Sequence, residues 1–511
     1  MPTKTLLFRL GWTLCVTSLA LASAAGAAQG WFTEASAGSS NVISGPTASV
    51  PPSSDLSGVL GPPATPVPTS VPIRSPLKVS AQAALSGPLA VAGNRIVDAG
   101  QRGSTVSLRG VNIMDWTLGS PPGGVVVDAG AVRTLVDWGA NMVRLGISSD
   151  NYLQQCSEAY DPNYRTELTD AVNQLTAAGI YVILDIHSSN PNCLFATPQT
   201  SNTAALPGPD VTAALAALAR TFGANPMVGF EPFNEPQACA SATSGPGASQ
   251  FFPSSADSTG TCSSEQSAAL AWNNGGTVEV QGMNILGSYI LGKSYQSPGM
   301  DGLYQTIMQN VPAGAAVPLI FLDANYFASD PSTFDNLQGP LAGASNVVEV
   351  FHPYDCQDTP NGSAVTSAAC QDTTPETCST TSRFVQYDLI DPATGRTAAR
   401  PIVFDEINFP AGEDAYWGQS GQFDVPITVY QQGYWVNNMI AGMQTGGAAG
   451  WAIFYFQSAD VDHSTGPYAM LQPGITAATP TPWPVSSNDA PAVAAMGGAQ
   501  LSCESPPLGF G

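Results

Sequence analysis

The chain has 511 residues and a formal charge of −23, with 10% of residues charged against 43% hydrophobic. That length accommodates a large core, and fifteen Lys and Arg cannot furnish the basic face that nucleic acid requires, so nucleic acid is excluded as a partner class. Histidines number three, and none of the nine cysteines forms a C-x-x-C pair, so neither a metal site nor a cofactor is expected.

Residues 1–28, MPTKTLLFRLGWTLCVTSLALASAAGAA, place Lys4 and Arg9 before an apolar run that ends in small residues at Ala22, Ala24, Ala25 and Ala27. This is the pattern of a secretory signal peptide, and the run is short for a spanning helix. The expectation is a secreted (extracellular or periplasmic) chain with no membrane attachment after cleavage. Beyond Cys15, eight cysteines remain, an even number suited to disulfides in an exported protein. Cys156 with Cys193, and Cys239 with Cys262, are two expected pairs, each joining loops at strand ends, and the pairing of Cys356, Cys370, Cys378 and Cys503 is left open. With Lys78 and Lys293 the only lysines left after cleavage, little positive charge accumulates when carboxylates are protonated. Stability should therefore fall little in acid.

Residues 29–90 form a Pro/Ser/Ala-rich arm, with ten prolines between 33 and 90, that cannot bury much and is expected to be extended or disordered. From residue 91 to 511 the pattern is that of one folded domain. TVSLRGVNI (105–113) reads as a strand, AGAVRTLVDWG as a helix and NMVRLGI (141–147) as a strand. TELTDAVNQLTAAG is a helix stopped by Gly179, and IYVILDIH (180–187) is the third strand. DVTAALAALARTFG continues as helix, and MVGFEPFNEP (227–236) as strand. After a long interruption, 238–299, come strands at 317–327, 346–355, 400–410 and 450–457, with helices between them. Eight strands alternating with helices predict a closed (β/α)8 TIM barrel with long loops at the carboxyl ends of the strands, where such barrels carry their chemistry.

The ionisable residues at those ends are few. Arg144 follows the second strand, Asp185 and His187 lie on the third, Glu231 and Glu235 on the fourth, His352 and Tyr354 on the sixth, and Glu406 on the seventh. Each also has a structural reading: Arg144 as the partner of Glu231 in a polar layer, His187 and His352 as satisfied core histidines. Strand period places Glu231 deeper than Glu235, and turns Asp405 away from the side that Glu406 faces. Two carboxyl groups facing one another across a barrel mouth suit glycoside cleavage, in which one protonates the leaving oxygen and the other attacks the anomeric carbon or activates water.

RGVN, MVRLGI, VILDIH, Asn-Glu-Pro, FHPY and IVFDEINF, in that order, resemble glycoside hydrolase family 5, the cellulase-type family of retaining (β/α)8 enzymes. The likeness spans roughly residues 91–470. It implies Glu235 as acid/base, Glu406 as nucleophile, and Asn234 as the residue that binds the sugar 2-hydroxyl. Arg144 would hold the nucleophile, and His187, His352 and Tyr354 would line the point of cleavage. Phe454 stands where the family usually presents a tryptophan platform. The function so implied is a monomeric, secreted endo-β-1,4-glucanase acting on a β-glycan polysaccharide or oligosaccharide. β-Mannanase, xyloglucanase, exo-β-glucosidase, transglycosylase and a non-catalytic carbohydrate-binding protein are the alternatives.

Overall fold

A computed structural model describes Leu85, 87–101, 103–116, 127–156, 161–193, 206–238, 250–253, 265–281, 293–328, 330–353, 399–407, 429–456, 470–471, 479–485 and 489–502. All lie in the second of the chain's two compact units, Arg74–Gly511. The expected signal peptide, most of the Pro-rich arm, the Cys239–Cys262 pair and Tyr354 fall outside the described residues. Among the described residues, no helix is long and apolar enough to cross a membrane.

Eight parallel strands close into a barrel: β1 (Leu108–Trp116), β2 (Met142–Ser148), β3 (Tyr181–Ser188), β4 (Val228–Glu231), β5 (Ile320–Asp323), β6 (Val347–Val350), β7 (Ile402–Ile407) and β8 (Gly450–Ile453). They follow one another in sequence order around the ring, and β8 pairs with β1 to close it. Every residue of β2 and of β3 is buried. Strands covered on both faces need apolar runs of this kind rather than alternation. Val, Leu and Ile at one parity pack outward against the helices, while Leu108, Met142, Ile183, Phe321, Val348 and Val403 fill the inside. Gly110 belongs to the inner layer, where a Cβ would fall 1.8 Å from the Met142 carbonyl oxygen, so the strands can approach only without a side chain there.

Local signals set the helices. Asp128 caps Ala129–Trp138 by accepting the Gly130 and Ala131 N–H groups at 2.7 and 2.8 Å, and Gly139 ends that helix in the left-handed region at φ 80°. Pro opens the helix Pro209–Phe222, at a position where its missing N–H costs nothing.

Two small sheets are additions that the strand–helix alternation does not announce. Leu89–Ala92, Arg95–Asp98 and Ser104–Val106 form an antiparallel sheet, and its Leu89, Ile96 and Val106 pack on the lower barrel interior as a floor. This sheet starts just ahead of residue 91, and Leu85 before it is already buried. The second sheet, Gln250–Pro253, Gly276–Gln281 and Lys293–Ser297, lies within the interruption after β4, with the helix Glu265–Asn274 between its first two strands in sequence.

Candidate active site

Arg144 stands at the centre of the barrel's upper interior with a fully buried side chain. Its Nε donates to Glu231 Oε2 at 2.8 Å, and its two terminal nitrogens reach Glu231 Oε1, Asn234 Oδ1 at 2.6 Å, Asn112 Oδ1 at 3.0 Å and Glu406 Oε1. Asp185 Oδ2 lies 3.0 Å from the same guanidinium, and Asp405 Oδ2 lies 3.7 Å away. A guanidinium suits this place because its planar fork presents five donors at once. Burial alone would lower the Arg144 pKa, but Asp185, Glu231, Glu406 and Asp405 together hold it well above its ordinary value. Burial pushes Glu231 up to about 7, although Arg144 pulls the other way. Glu231 is thus the buried partner of the arginine.

The glutamate four positions on reaches the mouth by a different route. β4 ends at Glu231 rather than near residue 236, so Glu235 is carried by the turn beyond it. Its φ of 45° lies in the left-handed region, which costs a residue with a Cβ roughly 1–2 kcal/mol. The Glu235 N–H donates to Asp323 Oδ2 at 2.7 Å, and its carboxyl oxygen Oε1 lies 3.0 Å from His352 Nδ1. His352 Nε2 is 3.0 Å from Asp405 Oδ1, and 3.6 Å from Asp323 Oδ2. A carboxyl oxygen thus stands at each ring nitrogen of the imidazole. Burial would lower its pKa, but Glu406, Asp323 and the bonds to Asp405 and Glu235 raise it well above 6.5.

On β7 the strand period fails. Asp405 keeps the inward parity of Val403, yet Glu406 next to it also reaches Arg144. The expectation that Asp405 points away from the site is therefore corrected. The cause is local: the β7–β8 register shifts between Phe404 and Ile407, a bulge that lets consecutive residues face the same side. One oxygen of Glu235, one of Glu406 and one nitrogen of His352 all lie within 4.8 Å of one another.

His187 Nδ1 is 2.8 Å from Asp185 Oδ2 and 3.8 Å from Glu406 Oε1. Burial drives its pKa down to about 4, opposed by Glu406 and assisted by Arg144, so the ring is neutral and Nδ1–H donates to Asp185. Phe454, directly after β8, stacks on it with ring centroids 6.5 Å apart and planes 19° apart. Trp451 packs outward in the core between barrel and helices.

Arg144, His187, Asn234, Glu235, His352, Glu406 and Phe454 therefore converge as the sequence suggests, whereas Asn112 and Asp323 were not singled out. A signal for Asp323 exists: VILD, IFLD and IVFD each end an apolar run in aspartate, and all three aspartates point into the barrel. Glu231, Asp323, His352 and Asp405 also present one ligand-type atom each within 4.8 Å, a spacing able to hold a metal ion. Both nitrogens of His352 are committed to carboxylates, however, and Arg144 supplies the cation, so this donor set fits an ion-paired layer better than a metal centre.

The loops at this face are tied by a disulfide, Cys156–Cys193, with Cα atoms 5.0 Å apart.

A family model described as Cellulase (glycosyl hydrolase family 5) matches residues 99–388, more than half of the chain. Endoglycoceramidase I of Rhodococcus hoagii (strain 103S) is 39% identical over 95 residues, a match that spans 19% of this chain and 19% of that relative. Among solved structures, the endoglucanase catalytic domain from Thermobifida fusca is 15% identical with a TM-score of 0.43, covering 80% of this chain and 97% of that one. The Pyrococcus horikoshii endocellulase in complex with cellotetraose is 13% identical, TM-score 0.47, covering 80% and 98%. A Saccharophagus degradans β-glucanase in complex with cellotetraose is 16% identical, TM-score 0.44, covering 83% and 97%.

Proposed function

The chain belongs to glycosyl hydrolase family 5, and we propose that it is a retaining endo-β-glycosidase in which Glu235 is the acid/base and Glu406 the nucleophile. One observation carries the reading: an oxygen of each carboxyl lies within 4.8 Å of the other. Retaining enzymes hold their two carboxyl groups about 5–5.5 Å apart, whereas inverting ones leave roughly 6.5–9.5 Å for a water.

In the first step Glu406 attacks the anomeric carbon, and Glu235 gives its proton to the departing oxygen. In the second, Glu235 takes a proton from water as that water displaces Glu406 from the sugar. Arg144 donates to the Glu406 carboxyl and so aims it. Asn234 accepts from Arg144 at its Oδ1 and has no partner for its Nδ2 among the described residues, which leaves Nδ2 to donate to a sugar hydroxyl. His352 binds Glu235 from the side away from solvent, and Phe454 against His187 offers an apolar face for a pyranose ring.

For the substrate, the family description favours a β-1,4-glucan cleaved internally. A second reading, a β-linked oligosaccharide on a ceramide, is favoured by the endoglycoceramidase relative. Export to an oxidising compartment fits the Cys156–Cys193 bond and the N-terminal pattern. The test is Glu235→Gln and Glu406→Gln, each checked for folding by circular dichroism. Each should lose at least about 10³-fold of the hydrolysis of soluble β-glucan or lactosylceramide. Hydrolysis by Glu406→Gln at the wild-type rate would reject the assignment, and the two substrates assayed side by side separate the two readings.

A further inference from the structure

The turn that carries Glu235 has a backbone conformation that side chains rarely adopt, and its main chain is bonded to groups of neighbouring strands. The Asn234 N–H donates to the Ile186 carbonyl of β3 at 3.1 Å, and the main chain of Glu235 and Ala238 is bonded to the end of β5. Asp323 Oδ2 accepts the Glu235 N–H at 2.7 Å. Two residues on, Asn325 grips the far end of the same turn with both ends of its amide. Its Oδ1 accepts the Ala238 N–H at 2.7 Å, and its Nδ2 donates to the Ala238 carbonyl at 3.0 Å. Asp323, Asn325 and Ala238 are all buried, so water does not compete for these bonds.

This grip is itself anchored. Trp272, a fully buried residue of the helix Glu265–Asn274, donates its Nε1–H to the Asp323 carbonyl at 3.1 Å, and the Asn325 N–H donates to Thr333 Oγ1 at 3.1 Å. Asp323 also approaches His352 Nε2 at 3.6 Å, while the other nitrogen of that ring meets the Glu235 carboxyl. Asp323 therefore borders Glu235 twice, at its main chain and through the imidazole that touches its side chain.

We propose that Asp323 and Asn325 are positioning residues for the acid/base: clamping 235–238 at both ends, they aim the Glu235 carboxyl at the leaving-group oxygen. The inference rests on the acid/base reading of Glu235. It predicts a selective defect, because only a poor leaving group needs the proton that Glu235 delivers.

The experiment measures kcat/KM, which reports the first displacement, for phenyl β-cellobioside and 2,4-dinitrophenyl β-cellobioside. The enzymes are wild type, Glu235→Gln, Asp323→Ala, Asp323→Asn and Asn325→Ala. In Asp323→Ala and Asn325→Ala, the phenyl substrate should lose about 10–100-fold while the dinitrophenyl substrate stays within about threefold. Asp323→Asn, which retains an acceptor for the Glu235 N–H, should recover most of the loss. Should Asp323→Ala fail to fold, Asn325→Ser carries the same comparison. Equal losses on both substrates, or no loss on the phenyl one, would overturn the proposal. If Glu235→Gln itself shows no preference for the dinitrophenyl substrate, the acid/base reading fails. If Glu235→Gln shows that preference and the β5 variants do not, only the clamp fails.

Discussion

At their lower ends the barrel strands turn Leu108, Met142, Phe321 and Val403 inward, against Leu89 and Ile96 of the floor sheet. Further up the same strands, at the same parity, stand Asn112, Arg144, Asp323 and Asp405. The backbone is the same, and only the side chains change from hydrocarbon to charge. The lower layer stabilises the fold by removing apolar surface from water. The upper layer gathers acidic side chains around one arginine and two histidines, at a desolvation cost that ion pairs rarely return in full. A barrel selected for stability alone would continue the hydrocarbon upward. The difference teaches that the upper layer is retained for what it does to Glu235 and Glu406.

Arg144→Met extends the apolar layer one step and should break this contrast most. Glu231, Asp185 and Glu406 would lose their shared cation, at about 3–5 kcal/mol of unfolding free energy in a urea titration, and hydrolysis should vanish with it. Phe321→Ala opens a cavity in the lower layer instead. It should cost roughly 3 kcal/mol in the same titration and leave the pH profile of activity in place.

The smallest effect is the pH dependence of stability, which belongs to the upper layer alone. Glu231 keeps its proton in the fold up to about 7 but releases it near 4.5 when unfolded, so across that window stability falls as pH rises. Burial raises Asp185 and Asp323 as well, with the same sign above 3.8. His352, held above its ordinary 6.5, contributes stability that is complete below that value and is lost as pH rises through its folded pKa. His187 alone works the other way: it is neutral in the fold down to about 4, so it costs stability as pH falls from 6.5 to 4. The expected result is a melting temperature higher at pH 5 than at pH 8, with about 1.4 kcal/mol per pH unit for each net proton. His352→Gln should flatten the alkaline part, and a melting temperature that drops between pH 7 and 5 would contradict the balance.

The barrel was legible because its strands are apolar runs at regular intervals and its helices carry ordinary caps, Asp128 and Gly139 among them. Arg144, His187, Glu235, His352 and Glu406 were legible because charge at the end of such a run is rare. The floor sheet was missed although Gly93 and Asn94 between Ala92 and Arg95 make a two-residue hairpin signal. Its strands are too short to stand out against the Pro-rich arm before them. Asp323 was missed because an aspartate closing a strand also reads as the opening of a turn. Only its parity with Asp185 and Asp405 reveals that it faces inward. The inward turn of both Asp405 and Glu406 depends on a register shift, and register is a relation between strands that no single stretch of sequence contains.

That shift in β7 makes the spacing of the reacting group a matter of counting. With an even pleat the barrel would display either Asp405 or Glu406, and the other would be spent among the helices. The extra residue lets one strand deliver a short acid to His352 and a long acid to Arg144, each matched in reach to its partner. Asp405→Glu combined with Glu406→Asp would preserve charge and composition but mismatch both lengths. Loss of either Asp405 or Glu406 would restore the even pleat and leave one acid to serve two partners. At this point of the chain, a deletion is a more drastic change than a substitution.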